Sequence, residues 1–208
     1  MMLDYNSLLL ALGVSASCLA VTLTGSWLAR RAETFLLTGA FGLVLVVAGI
    51  FAYAFYVEQP GRLLGAGNFV LFHAGFATIW GAGYQFRTGR LPISGIVVRA
   101  LVAMATSIPP MIAGLDGLAF MADNLAIAFL LFATAWQYWL DRAEAPAPIS
   151  GITALYTLTA ISFVLCAAVL IWDGKLVLGA APSNWAPNNS VSSPLVVSHC
   201  PGPVCITD

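Results

Sequence analysis

The chain has 208 residues, of which 60 % are apolar and only 8 % carry charge, a balance that a water-soluble domain of this length cannot bury in one core. Its formal net charge is −1, which gives neither a basic surface for nucleic acid nor an acidic excess for a cationic partner. Composition therefore points to the lipid bilayer as the chain's main partner and sets nucleic acid aside.

A hydrocarbon layer of about 30 Å calls for roughly 20 consecutive apolar residues. Six windows answer to that, at residues 7–28, 34–56, 64–84, 93–115, 118–140 and 151–171. The fold class read from them is all-α, a polytopic membrane bundle of about six transmembrane helices within residues 1–182. A polar tail follows, residues 183–208, and is expected to be disordered.

Before the first window stands Met1 to Asn6, with Asp4 and no Lys or Arg, and the apolar run is longer than the core of a secretory leader, so the segment is read as retained. A lipoprotein reading at Cys18 lacks the positive start it needs. Arg30 to Glu33 breaks the chain after window one, and Glu58 to Arg62 breaks it after window two. Window three carries His73 near its middle and gives way to a break at Arg87 to Pro92. Window four contains Pro109 and Pro110, which kink or end a helix. Asp116 and Asp123 lie near the expected outer connection between windows four and five, Asp123 near the start of window five, and there plain solvation competes with a cation entrance or an external sensing site. Trp27, Tyr53 with Tyr56, Trp80 with Tyr84, Trp136 with Tyr138 and Trp139, and Trp172 fall in the last turns of their windows, as headgroup-level anchors would.

Orientation follows the basic residues. Arg30, Arg31, Arg87, Arg90 and Arg142 lie in the breaks after windows one, three and five, and Arg99 can snorkel toward the same side, against Arg62 and Lys175 on the other. Six against two places those breaks in the cytoplasm of a bacterial inner membrane, with both termini extracytoplasmic.

No catalytic motif is present: no phosphate-binding glycine loop, no HisGluXXHis, no CysXXCys and no GlyXSerXGly. Of the two histidines, His199 is in the tail and His73 is intramembrane, where an ionisable side chain is a candidate cofactor, metal or proton site. The alternative is a hydrogen-bonded packing histidine, because His73, Ala77 and Gly81 recur every four residues on a face small enough for another helix, in this chain or in a homodimer partner, to approach. Cys18 and Cys166 are read as small apolar packers, and Cys200 with Cys205 as either a small disulfide loop or a chance pair.

Leu3 to Gly13, the run Gly25 to Leu37, Phe51 to Tyr53 ahead of Tyr56 to Gly61, and Gln85 to Arg87 form a set that resembles the N-terminal membrane region of GGDEF-type diguanylate cyclases of rhizobial and related alphaproteobacteria, over roughly residues 1–182. The resemblance implies a sensory or anchor module. In that family the membrane region precedes a further helix and a soluble domain that makes cyclic di-GMP from two GTP molecules with Mg²⁺. GlyGlyAspGluPhe and the stretch that opens that domain are missing here, so no catalytic residue, GTP or Mg²⁺ carries over, and no cofactor is expected in this chain. Trp172 to Ala186 still resembles the family's outer loop, and the expectation is of a truncated module whose tail, from around Pro187, is encoded in another frame, a native tail being the alternative. Two other functions compete, a small multi-span transporter using His73, Asp116, Asp123 and Arg99, and a haem- or metal-binding membrane protein resting on His73.

Overall fold

The computed structural model describes the backbone of residues 5–141 and 146–172, and the side chains of residue 11, 13–141 and 149–172. The described chain is helical throughout: α1 (Tyr5–Ala29), α2 (Thr34–Glu58), α3 (Arg62–Thr88), α4 (Ile93–Ile112), α5 (Asp116–Leu140) and α6 (Pro146–Trp172). This is the architecture lipid demands, because a helix satisfies its own backbone donors and acceptors where no water can. Helices α2 to α5 and Ile149–Trp172 of α6 are each long and apolar enough to cross a bilayer, and the described apolar part of α1 is Gly13–Ala29. The tail with Cys200, Cys205 and His199, the basic residues Arg142 and Lys175, and the expected end of the bundle at residue 182 lie outside the described residues.

The four connections from α1 to α5 are three or four residues long, so consecutive helices pack against one another and the chain reverses at each step. Each break has a local cause. Gly89 ends α3 in the left-handed conformation, φ 69°, with its N–H on the Gln85 carbonyl at 2.8 Å. Gly114, φ 81°, turns the chain after α4. Pro109 and Pro110 sit inside the last turn of α4, which closes at Ile112, three residues before the expected boundary.

Helix α3 is the axis of the bundle. It packs against α2, α4 and α5, while α1 lies on α2 and α6 lies on α5. Helices α2 and α3 cross at glycines: a Cβ on Gly42 would stand 2.9 Å from the Gly75 carbonyl, and one on Gly75 would stand 2.9 Å from the Gly42 carbonyl. Only glycine at both positions allows backbones this close. A Cβ on Gly81 would overlap Ile96 of α4, so at Gly81 the small face of α3 meets a helix of this same chain. Val46, Phe76, Ile79, Ile127, Leu130 and Leu131 join α2, α3 and α5 in the main apolar cluster.

On the outer helix α1 the described hydroxyls are absorbed locally. Ser15, Ser17, Thr22, Thr24 and Ser26 of α1 each donate to the carbonyl four residues back, at 2.7–2.8 Å, and so meet lipid without an unmet proton. Cys18 and Cys166, expected to pack inside, are exposed on α1 and α6 because those helices have a neighbour on one flank only. Several expected interfacial aromatics go inward instead: Tyr56, Trp80 and Tyr138 are buried against neighbouring helices, while Trp136, Trp139 and Trp172 do face outward. The twofold use of aromatics reflects their area, which fills the gaps beside the glycines of α3.

Candidate functional site

His73, on α3, is fully buried at the level where α3, α4 and α5 meet. Its Nε2 lies 2.8 Å from Ser107 Oγ on α4, and its Nδ1 lies 3.5 Å from Asp123 Oδ1 on α5. Ser107 has no exposed surface and Asp123 only 5 %. Three helices are thus joined at one point by their polar side chains, separated by 34 residues for His73 and Ser107.

Donors and acceptors in the cluster fix where its protons can sit. The Ser107 hydroxyl donates to the Ala103 carbonyl at 3.1 Å, which leaves its oxygen to accept from the ring N–H at Nε2. Nδ1 then faces Asp123 across 3.5 Å with no hydrogen-bond partner. Two bare lone pairs would repel, so one proton belongs between them, either on the ring, giving an imidazolium and a carboxylate, or on the acid. The alternative tautomer carries the proton at Nδ1 toward Asp123 and requires the Ser107 hydroxyl to leave Ala103 for Nε2. The tautomer of His73 and the orientation of the Ser107 hydroxyl are therefore linked.

Ser107, His73 and Asp123 stand in the order of a nucleophile, base and carboxylate. Attack needs an open position about 3 Å from the hydroxyl. Here the hydroxyl is sealed among helices, and the recess between α4 and α5 is lined by the neighbours Thr106 and Ala122 but by neither Ser107 nor Asp123. The arrangement has room for a shared proton but presents no open nucleophile. Both ring nitrogens of His73 face protein groups, so a haem iron or other metal would have to displace Ser107 or Asp123.

The two acids expected near one outer connection part company. Asp116 is the first residue of α5, and the Tyr56 hydroxyl stands 3.5 Å from its Oδ2 beside a polar recess of about 180 Å³ shared with Arg62 and Gly114. Asp123 lies two turns further in and is a core residue, which corrects its reading as a solvated acid near the connection. Its place inside the expected fifth window was legible, but the neighbouring helices that bury it were not. Seven residues from the helix start at Asp116 bring Asp123 about 10 Å into the membrane.

Two further polar links were not read from the sequence. The Gln85 Oε1 accepts from Thr38 at 2.7 Å, and its Nε2 donates to the Thr34 hydroxyl at 2.8 Å, tying the end of α3 to the start of α2. Arg99 stacks on Trp80, its guanidinium carbon 3.5 Å from the ring centroid, and donates to the Gly95 carbonyl at 3.1 Å. Gln85 was legible only as part of a resemblance, since nothing in an apolar run signals which distant hydroxyl an amide will meet.

With this geometry in hand, comparison with family models, with curated proteins and with solved structures finds no match to the chain, so its function rests on its own residues.

Proposed function

We propose that the bundle is a sensory or anchor module of the bacterial inner membrane, of the kind that governs a diguanylate cyclase in cyclic di-GMP signalling. The observation that carries the sensory part is the buried His73, Ser107 and Asp123 cluster, which joins α3, α4 and α5 around one shared proton. Intramembrane ionisable groups are retained for function more than for stability, and a two-arrangement hydrogen-bond network is a physical means of switching. The cyclase part rests on the resemblance of Gly25 to Leu37, Tyr56 to Gly61 and Gln85 to Arg87 to that family's membrane regions. In this reading the ends of the bundle with Arg30, Arg31, Arg87 and Arg90 face the cytoplasm. A second copy, which cyclase chemistry requires, packs on α1 or α6, because at Gly81 the small face of α3 already meets α4.

The test is a chimera in which residues 1–172 are followed by a seventh span and a diguanylate cyclase domain, with cyclic di-GMP measured at matched membrane abundance. A shift in output on His73→Gln or Asp123→Asn is expected. Equal output from the chimera and both variants across conditions contradicts a sensory role for the cluster.

A transporter remains the second reading, favoured by the polar recess at Tyr56, Arg62 and Asp116 on the side opposite the arginine-rich connections. Between that recess and His73, however, Phe69 and Met111 have no exposed surface and close the way.

A further inference from the structure

Between α4 and α5 runs a groove of about 590 Å³ whose floor is made of small residues, Ala103, Ala122 and Ala126, and whose rims are Val102 and Phe129. From Val98 to Thr106 it follows α4 for about 12 Å. Its lining is apolar except for Arg99 at one end and Thr106 at the other, and the Thr106 hydroxyl already donates to the Ala103 carbonyl at 2.7 Å. Val102 and Phe129 are 61 % and 68 % exposed, so the groove opens toward the bilayer, not toward the packed interior.

Arg99 is the unusual member. Of the five N–H donors of a guanidinium, the Gly95 carbonyl takes one, and among the described residues no carboxylate lies within ion-pair distance. The group is nevertheless held in place: Trp80, only 3 % exposed, forms a platform beneath it, and a Cβ on Gly95 would come within 3.3 Å of the guanidinium and 3.2 Å of the indole. A cation on an aromatic platform, with free donors at the end of an apolar trough, is matched by an anion carried on a hydrocarbon chain. Arg87 and Arg90 are exposed at the same end of the bundle and extend the positive field over the groove's mouth.

We infer that the α4/α5 groove holds an acyl chain of an anionic bilayer phospholipid, with the lipid phosphate on Arg99. The chain lies over Ala103 and ends beside Thr106 and Ala122. Ala103 also accepts the hydrogen bond of Ser107, so the lipid rests against the backbone that supports the His73 cluster. The site stands on the groove and on Arg99, and is independent of the signalling role proposed above.

The experiment is native mass spectrometry of the full chain equilibrated with equal amounts of phosphatidylglycerol and phosphatidylcholine of matched chains. The expected result is about fivefold preferential retention of phosphatidylglycerol, the factor that one arginine at a membrane surface supplies. Arg99→Gln abolishes the preference, Arg99→Lys keeps it in part, and Arg30→Gln, on another connection, leaves it intact. Thr106→Phe, which fills the far end of the groove from an exposed position without touching the charge, lowers retention of both lipids. Equal preference in wild type and Arg99→Gln overturns the assignment, as does a loss with Arg30→Gln as large as with Arg99→Gln, which would show diffuse surface attraction. Should Arg99→Gln not fold, unchanged retention in Thr106→Phe overturns it alone.

Discussion

Helices α3 and α6 are both 27 residues long, yet they use the membrane in opposite ways. The most apolar stretch of α3 has a mean hydropathy of 1.4 and is half buried; that of α6 reaches 2.3 and is 11 % buried. In water the more apolar helix would be the one inside. Lipid removes that drive, because its tails are as apolar as leucine, and leaves glycine contacts and polar side chains as the reasons for a helix to be central. Helix α3 has both, in Gly75, Gly81 and Gly83 and in Asn68, His73 and Gln85, all buried. Helix α6 has leucines such as Leu155, Leu158 and Leu165, each at least 60 % exposed.

The sharpest way to break this contrast is to place the same substitution on both helices. Gly75→Val forces a side chain into the backbone of α2 and is expected to cost about 3 kcal/mol or to prevent folding, whereas Gly151→Val, with nothing within 4 Å, changes stability by less than about 0.5 kcal/mol. Detergent-denaturation midpoints of the two variants measure the difference. A charge on the lipid face tests the other half: Leu158→Asp should disfavour membrane insertion of α6 by about 2.5–3.5 kcal/mol in a glycosylation-based insertion assay. Of intermediate size is Gln85→Leu, which leaves the Thr34 and Thr38 hydroxyls without their partner and is expected to cost about 1–2 kcal/mol in the same denaturation assay. Smallest is Asn68→Leu. The Asn68 Oδ1 is buried with no hydrogen-bond partner, so removing it should leave stability within about 0.5 kcal/mol of wild type or raise it.

The order and extent of the six helices were legible in the sequence, because hydrocarbon thickness sets a length that apolar runs either meet or do not. Expected and observed boundaries of α2, α4 and α5 agree within three residues at every end. What faces inward was not legible. Tyr56 and Tyr138 sit in the last turns of their helices, and Trp80 in the last turn of its expected window, as headgroup anchors do, and only the neighbouring helix decides that they are buried. His73 was visible as an ionisable group in an apolar run, and its small-residue face correctly announced a close helix. Its partners were not, since Ser107 resembles any other helical serine that bonds its own backbone, and Asp123, near the start of its window, reads as a solvated acid until the neighbouring helices are known. Sequence pattern reports the solvent a helix meets, but not which of its polar groups will meet one another.

The central claim is that His73 and Asp123 act as one unit joining α3 to α5, and a double-mutant cycle tests it most directly. His73→Leu, Asp123→Leu and the double variant would be unfolded reversibly in mixed micelles and compared with wild type. Each single change is expected to be destabilising and the double variant to recover part of the loss, with a coupling of about 1–2 kcal/mol. Additive effects, with a coupling under about 0.3 kcal/mol, would contradict it and make the histidine and the aspartate neighbours that do not share a proton.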